Sequence, residues 1–128
     1  MRYLSTEDIL HIHSMVVEET GGMHGVRDMK GLMGAAEAPR QAVFGKELYP
    51  TVYLKAAAYA RNIIMGHFFL DGNKRTGMTS TFVFLEDNGY LASLKEGEIE
   101  AFALDIVKKK LDIEAIAVWI KKHTKKIR

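Results

Sequence analysis

The chain contains no cysteine, only two prolines and a single tryptophan. Without cysteine there is no disulfide, thiolate zinc site or cysteine nucleophile to consider. Charge of one sign is also scarce: 18 basic residues against 16 acidic ones leave a formal net charge of +2. That falls short of the concentrated basic footprint of a nucleic-acid binder, so no direct nucleic-acid contact is expected. No apolar run approaches the ~18 residues that suggest a membrane span, and Met1 to Asp8 lacks the apolar core of a signal peptide. These absences lead to the expectation of a cytoplasmic protein with no membrane partner. What is present is ordinary for a folded protein. Hydrophobic residues make up 48% and charged residues 27% of 128, enough for one core in one domain over residues 1–128 and not for two.

Helix signals dominate the chain. Ser5 with Asp8 has the spacing of a capping box, and Ile9, Ile12, Val16 and Val17 follow at helical intervals up to Gly21-Gly22. Asp28 caps a short second helix reaching Ala38, where Pro39 stops it. Residues 40–50 are irregular and read as a loop with extended pieces at most. A third, alanine-rich helix runs from Thr51 to about Met65, and a fourth from about Asn73 to Asn88, where Asn88-Gly89 is a stop signal. Two further helices, Glu96 to Lys110 and Asp112 to about Thr124, complete the chain, with Leu91 to Leu94 as a short extended linker at most. The expected fold is all-α, with Trp119 in the core and the alanines at 56, 57, 58 and 60 allowing close helix packing.

Chemistry concentrates between residues 66 and 77. His67, Asp71, Gly72, Asn73, Lys74 and Arg75 fall within nine residues, in a loop leading into an apolar helix. A helix start presents unsatisfied N–H groups and a partial positive charge, an anion site in waiting. Gly72 lets a ligand approach the backbone, and Lys74 and Arg75 add fixed positive charge. Asp71 among these cations reads either as an ion-pair partner or as an oxygen ligand for Mg²⁺, which is commonly held by one or two carboxylates together with substrate phosphates. His67 is the side chain whose ordinary pKa suits proton transfer near neutrality. Together these describe phosphoryl or nucleotidyl transfer. Composition alone also allows a turn, a helix cap and a solvated basic pair.

The run His67-Phe68-Phe69-Leu70-Asp71-Gly72-Asn73-Lys74-Arg75 closely resembles the Fic/Doc signature, His-x-Phe-x-[Asp/Glu]-[Gly/Ala]-Asn-[Gly/Lys]-Arg. Gly25-Val26-Arg27-Asp28, Ala38-Pro39, Phe44-Gly45, Leu48-Tyr49-Pro50-Thr51 and Phe84 to Tyr90 resemble Doc-type (death-on-curing) sequences in the same order. The resemblance implies a Fic-type bundle of about six helices around a central helix that follows the signature loop. It implies His67 as general base, Asp71 holding Mg²⁺ on the phosphates of ATP, and Gly72, Asn73 and Lys74 forming the anion-binding turn. Asn73 would also fix the loop, Arg75 would neutralise the transferring phosphate, and Phe69 would be a buried anchor. Residues 40–50 would be a flap that holds the protein substrate, pairing with it as an added strand.

Two departures from the adenylylating members bear on the chemistry. Lys74 replaces a glycine where the β-phosphate of ATP would sit, and Met78 replaces an arginine clamp that a thioether cannot imitate. Doc proteins share the lysine; there the nucleotide binds in the reverse sense and the γ-phosphate is transferred to a threonine of elongation factor Tu, arresting translation. The resemblance therefore implies a toxin kinase, restrained by an antitoxin whose disordered segment orders on binding. Protein adenylylation and a decayed module that only occupies an antitoxin remain as alternatives. Ser14 and Glu18 have the spacing of a self-inhibitory motif, but Glu19 follows where glycine or asparagine is required, so the match reads as coincidence. His11, His13 and His24 read as surface histidines, Arg27 and Asp28 as a structural pair, and the basic residues 121, 122, 125, 126 and 128 as a favourable charge on the last helix dipole.

Overall fold

A computed structural model describes residues 1–127. Its six helices are α1 (Thr6–Thr20), α2 (Met29–Glu37), α3 (Val52–Gly66), α4 (Asn73–Asp87), α5 (Glu98–Lys109) and α6 (Ile113–Lys122). A 3₁₀ turn at Ala38–Arg40 follows α2, and four short strands, β1 (Ala42–Val43), β2 (Lys46–Glu47), β3 (Tyr90–Ala92) and β4 (Thr124–Lys126), form two antiparallel pairs. The all-α expectation holds.

Local chemistry sets the helix ends. Ser5 and Asp8 exchange side-chain to backbone hydrogen bonds in a capping box at the start of α1. Asp28, Thr51 and Asp112 each accept an N–H at the starts of α2, α3 and α6. Gly21, with φ 75°, ends α1 in the left-handed region.

The core forms around α3 and α4. Ala56, Ala57, Ala58, Tyr59, Ala60, Ile63 and Ile64 are all without solvent exposure, and each large aliphatic buried in this way contributes about 1.5–3 kcal/mol. The alanines bring α4 close: a Cβ at Gly77 would lie 2.6 Å from Ile64 Cγ1 and 3.3 Å from the Ala60 carbonyl oxygen. On α4, Met78, Phe84 and Leu85 are buried. The α3–α4 pair, with α4 following the loop, thus lies at the centre of the core. Tyr59 ties the N-terminal segment to this core, accepting from Leu4 N at 2.9 Å, and burial pushes its phenol up to about 12.

Leu91 and Ala92 are extended, as expected of the linker, but they pair as a strand, and α6 ends at Lys122, two residues short of Thr124. Tyr90, Leu91 and Ala92 pair with Lys126, Lys125 and Thr124, closing the chain back onto the end of α4. The basic run is accordingly split: Lys121 and Lys122 lie in the last turn of α6, Lys125 and Lys126 lie in β4, and Arg128 lies outside the described residues. Trp119 is only partly buried, stacked between Phe102 (3.9 Å between ring centroids) and His123 (4.0 Å).

Candidate active site

Helix α3 ends at Gly66, and His67 caps it in the left-handed region, φ 50° and ψ 48°. A non-glycine residue seldom adopts this conformation, and here it turns the chain so that consecutive side chains part. His67 is exposed, whereas Phe68 and Phe69 are buried. Phe69 is the expected anchor, and its ring stacks on His13 of α1, 3.7 Å between centroids and 8° from parallel.

His13 corrects the reading of the histidines. His11 and His24 are exposed, but His13 is buried, and its Nε2 lies 2.8 Å from the Asp71 carbonyl oxygen. A carbonyl only accepts, so Nε2 carries the proton and donates it. His13 thus pins the signature loop twice, through a ring stack and a hydrogen bond. Its position carried a signal: it lies four residues after Ile9 and three or four before Val16 and Val17, on the buried stripe of α1.

The loop is held along its length by backbone. The Phe68 carbonyl accepts from Arg27 N at 2.7 Å and Asp28 N at 3.1 Å, and Leu70 N donates to the Gly25 carbonyl at 3.1 Å. Arg27 Nε donates to the His67 carbonyl at 2.9 Å. Arg27 and Asp28 are therefore not a pair with each other: one holds the carbonyl of His67, the other caps α2. Asn73 closes the loop from within, its Oδ1 accepting from Phe69 N and its Nδ2 donating to the Phe69 carbonyl, both at 3.0 Å.

Gly72, at φ 77°, occupies the cap position of α4 without blocking it with a side chain. Helical hydrogen bonding begins with Thr76 N to the Gly72 carbonyl, and among the described residues the amides of Asn73, Lys74 and Arg75 have no acceptor. Lys74 and Arg75 are exposed beside them, with Arg75 Nη2 3.9 Å from Glu100 Oε1 on α5. Asp71 is exposed; its Oδ1 accepts from Gly72 N at 2.9 Å and its Oδ2 from Met23 N at 3.1 Å. A carboxylate has about four lone-pair positions, so Asp71 retains capacity for a metal ion after these two bonds.

A cleft of 730 Å³ opens between α1, α4 and α5, with Met15, Phe82 and Leu104 among its apolar lining and Lys74 and Arg75 at its border. His67, Asp71, Gly72 and Asn73 do not line it. The predicted residues are thus gathered around one loop and one helix start, and two of them also face this cleft. Ser14 is exposed and Glu18 binds His24 at 2.9 Å, an interaction unrelated to the signature loop.

Comparison with known proteins finds related sequences. The chain is 35% identical over 118 residues to "Toxin Doc" of Mycolicibacterium smegmatis, covering 90% of this chain and 88% of that relative. It is 33% identical over 92 residues to "Protein kinase doc" of Escherichia phage P1, covering 70% of each. A model of the Fic/DOC family matches residues 3–85, which include the buried stripe of α1, the loop that His13 holds and most of α4. By sequence, the chain belongs to the Fic/DOC family.

Proposed function

We propose that this protein is a Doc-like toxin: a protein kinase that transfers the γ-phosphate of ATP to a threonine hydroxyl of elongation factor Tu and so arrests translation. The observation that carries this reading is an exposed His67 in a left-handed turn, close before a helix start whose amides, Lys74 and Arg75 together suit phosphate. The names of the two relatives, a toxin and a protein kinase, support it.

In this reading His67 accepts the proton of the target hydroxyl as its oxygen bonds to the γ-phosphorus, and the bond from that phosphorus to the bridging oxygen breaks to release ADP. The free amides of residues 73–75 receive phosphate oxygens, and Arg75 exchanges its loose contact with Glu100 for the charge on the transferring group. Lys74 adds charge where an adenylylating enzyme needs an open glycine. Mg²⁺, held by Asp71, would supply charge neutralisation on the phosphates. Adenylylation is the second reading, and Lys74 and the buried Met78 weigh against it. The antitoxin orders a segment on the apolar cleft beside Lys74 and Arg75, where Met15 and Leu104 present exposed apolar surface.

Gly22 gives this assignment a local test. A Cβ there would lie 2.7 Å from Asp71 Oδ2, so Gly22→Ala displaces the carboxylate from its Met23 hydrogen bond. The Mg²⁺ concentration for half-maximal transfer should rise about tenfold, and exchange of the Met23 amide should quicken. An unchanged Mg²⁺ dependence with faster exchange would count against Asp71 as the ligand. The reaction itself is tested by supplying ATP labelled at the γ- or the α-phosphate to elongation factor Tu. The γ-label is expected on the protein; transfer of the α-label would favour adenylylation.

A further inference from the structure

Lys55 is a buried charge that the chemistry above leaves unused. It lies in the first turn of α3, just before the core run that begins at Ala56, with its side chain 2% exposed. Its Nζ donates to Glu47 Oε1 at 2.7 Å and to the Pro39 carbonyl at 3.2 Å. The amine also lies 5.5 Å from the ring centre of Tyr3, and the guanidinium of Arg40 stands over the same ring at 4.6 Å. Burial works against the charge on Lys55, but the hydrogen bond to Glu47 with Tyr3 beside it prevails, and the amine sits above the usual lysine range.

Glu47 belongs to β2, in a hairpin with little to hold it. Each strand has two residues, and every residue from Gln41 to Leu48 is exposed. So short a hairpin is not stable by itself in water. Its tip, Phe44-Gly45, has positive φ at both residues (51° and 76°), as tight hairpin turns require, and leaves Phe44 completely exposed. Among the described residues, no other side chain of the hairpin makes a hydrogen bond or ion pair with the body.

We infer that the Lys55–Glu47 pair is the anchor that fixes the hairpin to α3, and that Glu47 is a positioning residue for the protein substrate. A lysine planted in the rigid α3 core makes one strong, charge-assisted bond to a strand that is otherwise free. The hairpin's angle, and with it the placement of Phe44, follows from that bond. This rests on residues 40–50 acting as the substrate flap.

The test uses the full chain carrying Glu47→Ala, with amide exchange measured at Lys46 and Leu48 and kinetics measured with elongation factor Tu and ATP. Exchange at both amides should rise about tenfold as the hairpin opens locally. The KM for elongation factor Tu should rise about tenfold while kcat and the KM for ATP stay within about twofold. A merely structural role would not separate the two KM values. Lys55→Met, which keeps volume in the core, should reproduce the pattern; if it fails to fold, Glu47→Ala carries the test alone. Unchanged exchange would overturn the anchor. Faster exchange with an unchanged KM for elongation factor Tu would overturn the hairpin's docking role. A wild-type protein that leaves elongation factor Tu unmodified would overturn the kinase reading, and the exchange measurements would still decide the anchor.

Discussion

Replacing His67 by Asn should cut phosphate transfer by orders of magnitude while leaving the fold intact. Asparagine is among the residues that tolerate the left-handed region best, so the turn at φ 50° is kept. The side chain is exposed and makes no hydrogen bond among the described residues, so little packing is lost. What disappears is the imidazole proposed to take the hydroxyl proton. Positioned general bases contribute about 10²–10⁴-fold, and transfer should fall by that factor with the melting temperature within about 2 °C of wild type. Expression of the variant should no longer arrest growth. Arrest undiminished in a His67→Asn strain would instead favour a protein that acts only by binding.

His13→Ala should damage the same activity by a different route, and stability with it. The substitution removes a buried ring stacked on Phe69 and leaves the Asp71 carbonyl without its donor. The cavity and the lost part-buried hydrogen bond together cost about 2–4 kcal/mol, or a fall of about 10 °C in melting temperature. Because the loop that presents His67 and Asp71 is held by this contact, transfer should fall even at temperatures where the variant is folded. Thermal melting and kinetics at low temperature check the two effects separately. A variant of wild-type stability would show that the stack and hydrogen bond do not hold the loop.

The contrast between these two histidines shows what the sequence made legible. His67 stood in a dense local pattern, and the left-handed turn, the Asn73 closure and the open amides of α4 are local consequences of residues 66–76. Helix caps at Ser5, Asp28, Thr51 and Asp112 are equally local, each a side chain accepting from an amide three residues on. His13 acts across 58 residues of chain, and its spacing marked it as facing inward without saying toward what. The β3–β4 pair joins residues 90–92 to 124–126; strands of three residues have no periodicity to read, and lysines at the end of an apolar helix favour its continuation. Lys55 was hidden for a related reason. Nothing beside it in sequence requires a buried charge, because its partner arrives from the hairpin.

Lys74 has a bearing on the proposed choice of chemistry through its position. It adjoins both the free amides of the helix start and the apolar cleft, so its charge bears on whatever phosphate or partner approaches there. Arg75, loosely paired to Glu100 at 3.9 Å and half exposed, can turn to an incoming anion at small cost.

The central claim is that this helix start and His67 serve γ-phosphate transfer. Its most direct test is the intact mass of elongation factor Tu after incubation with the wild-type protein, ATP and Mg²⁺. The mass should increase by one phosphate. An increase by one AMP, or no change, would contradict the account.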